Sequence, residues 1–227
     1  MAPNRGTGSP ELIEAMRIIR SNLTVALPEL GESTVMVTSA EASEGKTVVC
    51  SNLAVAFASA GWRVVVADLD LRDPSLHTRF GISNDVGLTD VLLEQAPLSE
   101  VLQYVELEGQ AQEQGLYVAP AGPSVDQPTE LLSAKRAKQL ISSLAVQADL
   151  VLIDAAPVLP VADTLIVGRM VAGAILVVES GRTPTERAQQ AKDALIRSQT
   201  RLLGAVLNKV ESRHLDSGYG YGPELEE

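Results

Sequence analysis

A chain of 227 residues with 45% apolar content is long enough to bury one well-formed core and too short to argue for two. Its net charge of −11 argues against nucleic acid as a main partner, because gripping a phosphate backbone needs a basic face, and it disfavours anionic membrane for the same reason. Cys50 is the only cysteine, which rules out an internal disulfide and fits a reducing cytosol. No apolar run approaches the ~20 residues that span a bilayer, and the opening Met-Ala-Pro-Asn-Arg-Gly lacks the apolar centre of a signal peptide, so the expected location is cytoplasmic. Composition leaves open whether a membrane partner recruits the chain.

Residues 1–10 carry Gly, Pro and Ser and are expected to be flexible. Ser9 as N-cap and Pro10 at the first helical position then start a helix. Leu12, Ile13, Met16, Ile19 and Leu23 share one face of it. Glu14, Arg17 and Arg20 follow a slanted line from the opposite side. They read either as an intrahelical pair plus a solvated arginine or as a subunit contact.

An apolar run at 34–37 leads into Ser39-Ala40-Glu41-Ala42-Ser43-Glu44-Gly45-Lys46-Thr47, and helical spacing follows to about residue 59, with Gly61 suited to a left-handed cap. Trp62 reads as a packing residue at that helix end. Residues 63–67 form a strand apolar at successive positions, covered on both faces as in a parallel sheet. It runs into Asp68-Leu69-Asp70-Leu71-Arg72-Asp73-Pro74. Between 75 and 148 the pattern is weaker: a short helix at 87–93, a strand at 115–120, a turn-rich patch at 121–129 and a helix at 130–146. A buried strand at 150–153 ends on Asp154-Ala155-Ala156-Pro157. Strand 174–178, helix 184–198 and strand 202–208 complete the alternation, which predicts an α/β fold: a doubly wound, mostly parallel sheet with helices on both faces and ligands beyond the carboxyl ends of its strands. The folded unit is expected to span 11–210, and the polar stretch 211–227 is expected to be a disordered acidic tail.

A strand that turns tightly into a helix aims unpaired N–H groups and the helix dipole at one spot, which attracts phosphate. Residues 39–47 have that placement. Gly45-Lys46-Thr47 is the right ending for a phosphate-binding loop, with Lys46 reaching the phosphates and the Thr47 hydroxyl holding Mg²⁺, although Ala40 stands where the first glycine is usual. Lys46, Asp68, Asp70 and Asp154 all fall at or just past strand carboxyl ends, so the fold gathers them at one rim. Three close carboxylates need a cation among them, and Mg²⁺ bridging carboxylates to nucleotide phosphates supplies it. The plainer reading of each aspartate alone is a helix cap or a turn residue. Phosphoryl transfer also asks one group to orient or deprotonate an attacking hydroxyl, a role for Asp68 or Asp70. Arg72 either stabilises phosphate charge or pairs with Asp73 or Asp70. His77 and His214 form no metal or nucleophile set.

Together, Glu14-x2-Arg17-x2-Arg20, Glu44-Gly45-Lys46-Thr47, Asp68-Leu69-Asp70-Leu71-Arg72-Asp73-Pro74 and Asp154-Ala155-Ala156-Pro157 resemble the bacterial tyrosine kinases of capsule and exopolysaccharide synthesis. The likeness runs from about residue 9 to 221 and takes in Gly87-Leu88-Thr89-Asp90-Val91-Leu92 and Pro128-Thr129-Glu130-Leu131-Leu132-Ser133. It implies a MinD/ParA-like P-loop fold that uses ATP and Mg²⁺ and autophosphorylates on tyrosine. Ser43, Glu44, Gly45, Lys46, Thr47 and Val48 would surround the phosphates, and Thr47 with Asp70 or Asp154 would hold Mg²⁺. Asp68 would be the base, with Lys46, Asp70 and Arg72 completing the catalytic group. Asn208, at the end of the last strand, would lie near adenine.

By the same resemblance Tyr219 and Tyr221 are the acceptors, Glu14, Arg17 and Arg20 mediate a homo-oligomer or ring, and a membrane adaptor of the polysaccharide chain-length type completes the active site. The isolated chain is then expected to be weakly active. The family usually shows Pro-Gly where this chain has Ala42-Ser43, which puts a Cβ at a position that favours glycine and is expected to weaken nucleotide binding. Two rival readings remain at this stage. A ParA- or MinD-like positioning ATPase shares the fold but carries an additional lysine where Ala40 or Glu41 stands, and it lacks Arg72 and Pro74 in this arrangement. A nucleotide-binding regulatory subunit would have no transfer activity.

Overall fold

The computed structural model describes residues 9–30, 33–107, 115–133 and 135–210. Ser9 caps helix α1 (Pro10–Ala26), its hydroxyl accepting from the Leu12 amide at 3.3 Å, and Pro10 opens the helix. Met16 and Leu23 bury one face of α1 while Leu12 and Ile19 pack partly against the same core. That face lies on helix α2 (Lys46–Ala58), which is followed by Gly61 in a left-handed conformation, φ 88°. Phe57 and Trp62 close this end edge to face, with ring centroids 5.1 Å apart.

Among the described residues seven strands form one sheet: β1 (Thr34–Ser39), β2 (Val64–Asp68), β3 (Gln103–Val105), β4 (Leu116–Ala119), β5 (Leu150–Asp154), β6 (Gly173–Glu179) and β7 (Leu202–Asn208), in the order β3-β4-β2-β5-β1-β6-β7. Every neighbouring pair is parallel except β3 with β4. The pleat explains the uninterrupted apolar runs, because alternate residues of one strand enter different cores. Met36, Val65, Val151 and Ile153 join one core, with helices α7 (Lys135–Gln147) and α9 (Thr185–Arg197). Val35, Val37, Val64, Leu150 and Leu152 join the other, beneath α1 and α2. Cys50 lies fully buried in that second core.

The chain leaves β1, forms α2 and returns as β2 beyond β5, so the β1 loop opens where the sheet's winding diverges. Register then does the gathering. Asp154 pairs with Val37 on one side and with Asp68 on the other, which places the ends of β1, β2 and β5 level with one another.

Several short elements lie outside the sequence reading: α3 (Leu76–Phe80), α5 (Leu98–Val101), β3 and α8 (Asp163–Gly168). Four to six residues do not complete two helical turns, so they leave no periodic signal. Helix α4 (Leu88–Leu92) corresponds to the expected 87–93 segment, and α6 (Pro128–Ser133) with α7 occupies the region read as one helix over 130–146. Arg20 also differs from the solvated role, since its Nη1 donates to the Ala56 carbonyl at 2.9 Å and ties α1 to α2. Glu14 and Arg17 remain an exposed pair at 3.5 Å.

Candidate active site

The loop between β1 and α2 owes its shape to backbone conformations that its sequence only partly favours. Gly45 precedes the helix at φ 96°, and a Cβ there would stand 2.1 Å from the Asn208 side-chain nitrogen, so glycine is needed for both conformation and space. Ser43 adopts φ 66° without being glycine. That is the position where the sequence departs from Pro-Gly, and the left-handed region costs an L-residue about 1 kcal/mol or more. Ser43→Gly is therefore expected to raise stability by about 1 kcal/mol and to tighten nucleotide binding, measured by denaturant melts and calorimetry. An unchanged midpoint would show that the loop carries no such strain.

Side chains from the far strands hold this loop. Glu44 is buried, accepts from the Glu41 amide at 2.9 Å through Oε2, and receives the Thr183 hydroxyl on Oε1. Asn208 donates from Nδ2 to the Glu44 carbonyl at 2.9 Å. Its amide thereby braces the loop from the end of β7. Lys209 donates to the Ser43 carbonyl at 2.9 Å and to Glu179 at 2.8 Å.

Lys46 is 9% exposed and points its ammonium at two aspartates, 2.7 Å from Asp70 Oδ2 and 3.7 Å from Asp154 Oδ1. Thr47 donates to Asp154 Oδ2 at 2.6 Å and accepts from the Ser75 hydroxyl at 3.0 Å. Asp68 is held differently. Its Oδ2 accepts from the Ser75 and Leu76 amides, each at 3.0 Å, and Oδ1 accepts from the Asp70 amide at 3.2 Å. It thereby sets the start of α3, a long-range cap that local sequence does not announce. Arg72 pairs with neither Asp73 nor Asp70, the partners the sequence offered; its Nε donates to Asp163 Oδ2 at 2.6 Å.

Burial sets the electrostatics. It pushes the Asp154 carboxyl up to about 6, against the pull of Lys46 and of the Thr47 hydroxyl. Asp68 is driven well above the carboxylate range, first by burial and then by the charge of Asp154. Burial alone would lower the Lys46 pKa, but Asp154 and Asp70 outweigh it and raise it. Lys46 is therefore a fixed cation among three buried carboxylates, and the upward push on Asp68 and Asp154 marks a shortage of positive charge that a further cation would relieve.

A divalent cation fits these residues. Asp154 Oδ1 is buried and has no hydrogen-bond partner, since Lys46 at 3.7 Å is within ion-pair range but too far to donate to it. The Thr47 hydroxyl lies on the same carboxylate, giving two oxygen donors of the kind Mg²⁺ takes. Among the described residues no three His, Cys, Asp or Glu side chains form a metal cluster by themselves. Phosphate oxygens and water are left to complete the shell, as is usual for Mg²⁺ with nucleotides.

An open cleft of about 500 Å³ lies over these groups, lined by Ser43, Gly45, Lys46, Thr47, Val48, Asp70, Arg72, Pro157 and Lys209 among others. A separate apolar groove between α1 and β7, lined by Ile19, Leu23 and Leu203, contains no charged side chain and is unsuited to phosphate. Tyr219 and Tyr221 lie outside the described residues.

Residues 35–219 match the family model of the CobQ/CobB/MinD/ParA nucleotide binding domain. Tyrosine-protein kinase YwqD of Bacillus subtilis is 41% identical over 210 residues, covering 92% of this chain and 86% of that protein. The chain belongs to the bacterial tyrosine kinases. Tyrosine-protein kinase etk of Escherichia coli (strain K12) is 32% identical over 92% of this kinase and 28% of its own length. The solved kinase domain of E. coli tyrosine kinase ETK superposes on this kinase with a TM-score of 0.80 at 30% identity, covering 93% and 80% of the two chains. The identity to named tyrosine kinases separates this kinase from the positioning ATPases, with which it shares only the nucleotide-binding domain and fold.

The sequence missed Thr183, Glu179, Lys209, Ser75, Thr129 and Asp163. Lys209 had a local signal, standing next to Asn208 at the end of the last strand. Ser75 likewise stands directly after Pro74, whereas Thr183, Glu179, Thr129 and Asp163 are brought to the site by the fold.

Proposed function

We propose that this tyrosine kinase transfers phosphate from Mg-ATP to tyrosines of its own C-terminal segment, Tyr219 and Tyr221, and so regulates capsular or exopolysaccharide synthesis and export. The observation that carries the reading is the convergence of Lys46, Asp70, Asp154 and Thr47, with Asp68 beside them, at the mouth of a phosphate-loop cleft. Backbone amides of the loop and Lys46 bind the triphosphate, and Thr47 and Asp154 hold Mg²⁺, with Asp70 engaged through Lys46. Bound Mg²⁺ supplies charge neutralisation on the phosphates. Asp68 or Asp70 takes the phenolic proton. The buried Asp68, its pKa raised, is the stronger base once ionised, and Asp70 is the nearer to the cleft. The enzyme's remaining task is positioning, which the sheet edge and its short loops provide.

The partner in this reading is a membrane adaptor of the polysaccharide chain-length type, which recruits the kinase to the inner face of the plasma membrane. The family resemblance supports it, as does the match to only 28% of etk, where the kinase region is part of a much longer chain. Among the described residues no helix is long and apolar enough to cross a membrane. Mass spectrometry after incubation with Mg-ATP and the cytoplasmic segment of a candidate adaptor tests the reading. Phosphate on Tyr219 or Tyr221 is expected. Steady ADP release with every tyrosine unmodified would instead indicate an ATPase, and tight nucleotide with neither outcome a regulatory subunit.

Self-assembly through Glu14, Arg17 and Arg20 belongs to the same proposal. Arg17 is the cleaner probe, because Arg20 also ties α1 to α2. Arg17→Ala is expected to leave stability within about 0.5 kcal/mol, as for exposed surface pairs, while lowering the assembly mass measured by light scattering. An unaltered mass would count against the contact.

A further inference from the structure

The geometry points to Asp163 and Thr129 as positioning residues for phosphoryl transfer, holding the Arg72 guanidinium at the cleft so that its free edge meets the acceptor side of the reaction. The inference rests on the kinase reading of that cleft.

Four hydrogen bonds join three segments distant in sequence. Arg72 Nε donates to Asp163 Oδ2 at 2.6 Å, and Nη2 donates to Asp163 Oδ1 at 3.3 Å, a two-point fork. The same Nη2 donates to the Thr129 hydroxyl oxygen at 2.9 Å, and that hydroxyl donates onward to Asp163 Oδ1 at 2.5 Å. The ring closes with every donor and acceptor in its correct sense. The turn after β2 supplies Arg72, α6 supplies Thr129 and α8 supplies Asp163.

This arrangement is poorly explained as a stabilising pair. Asp163 is 2% exposed, so its carboxylate carries a large desolvation cost, while 42% of the Arg72 side chain is open to solvent. An ion pair with a buried carboxylate and a solvent-open arginine adds little net stability, because the cost of desolvating the acid offsets a screened attraction. What a forked carboxylate does give an arginine is a fixed plane. Nη1 is left without a partner among the described residues, on a side chain that lines the cleft with Lys46 and Asp70.

The cleft also suggests what that edge meets. Pro157, Pro160 and Val161 form an apolar part of its lining. A flat aromatic ring suits such a wall, with its phenolic oxygen turned towards the charged groups. Arg72 would then stabilise charge shared between the tyrosine oxygen and the phosphoryl group, a role that depends on orientation as well as on charge.

The test uses the full chain, Mg-ATP and a synthetic peptide of residues 211–227 as acceptor, with an adaptor segment present. Asp163→Asn and Thr129→Val are each expected to lower kcat by about 10- to 100-fold, in the range for misplacing one preorganised donor, with KM for ATP and calorimetric Mg-ADP affinity within about threefold. Thr129→Ser, which keeps the hydroxyl, should restore the rate to within about threefold of the parent. Asp163→Asn combined with Arg72→Ala should lose no more than Arg72→Ala alone, because residues acting through one group are not additive. Full kcat in Asp163→Asn and Thr129→Val, a double-variant loss equal to the product of the single losses, or losses that track falling Mg-ADP affinity or thermal midpoint would overturn the inference. Thr129→Val keeps it testable if Asp163→Asn fails to fold. A parent enzyme that labels no tyrosine would sink the kinase reading, whereas a parent that labels the peptide as fast as its variants sinks only this inference.

Discussion

Lys46→Met is expected to cut tyrosine phosphorylation by about 10³-fold or more, because among the described residues its ammonium is the cation paired with both Asp70 and Asp154 beneath the cleft where phosphoryl charge develops. A second effect separates this residue from a solvated lysine. Removing a buried cation leaves Asp70 and Asp154 without compensation, at a cost of roughly 3 kcal/mol at neutral pH. The cost shrinks at lower pH, as Asp154, whose pKa is already raised to about 6, takes up a proton instead. In the parent protein the raised pKa of Lys46 adds stability below the ordinary lysine value of 10.5, and that contribution is lost only as pH rises past it. Denaturant melts of parent and Lys46→Met at pH 5 and pH 8 should therefore differ more at pH 8. Equal differences at both pH values, together with retained transfer, would place the ammonium outside the site.

Asp154→Asn is expected to remove most of the Mg²⁺ dependence of nucleotide binding and to lower transfer by about 10²- to 10³-fold. The amide can still accept the Thr47 hydroxyl, but it brings no charge to a divalent cation. Acid should imitate the change. The Asp154 carboxyl is raised from 3.8 to about 6 in the folded protein, so its contribution to stability is fully present below 3.8 and is lost as pH rises through about 6. Cation binding runs the other way, since it needs the ionised form. Mg²⁺-dependent affinity for a fluorescent ADP analogue should weaken as pH falls through 6 in the parent and stay flat in Asp154→Asn. A parent whose Mg²⁺ affinity is the same at pH 5 and pH 8 would contradict this placement of the ion.

Legibility in the sequence followed the range of the interactions. The β1-loop-α2 unit was readable because its signals are local: an apolar run, Gly45-Lys46-Thr47, then helical spacing. Asp68, Asp70 and Asp154 could be assigned to one rim before their distances were known, because a parallel sheet puts all its carboxyl ends on one side. What each carboxylate does at that rim was not readable. Asp68 holds the start of α3 and Asp70 takes Lys46, while Asp154 keeps one oxygen unpartnered, and these differences come from register and burial. Arg72 shows the limit most clearly. Its neighbours in sequence offered two acidic partners, yet it binds Asp163, ninety-one positions away on a helix too short to leave a period. Ser43 marks the reverse case, in which a departure from the family pattern proved to be a residue in the left-handed region.

The central claim is that one triphosphate with its magnesium sits among Lys46, Thr47, Asp70 and Asp154, and isothermal calorimetry tests it most directly. Titrating Mg-ATP into the full chain should give heat for one site per chain, sharply reduced when EDTA replaces the metal and absent in Lys46→Met. No heat from the parent, or identical heat from parent and Lys46→Met, would contradict the account.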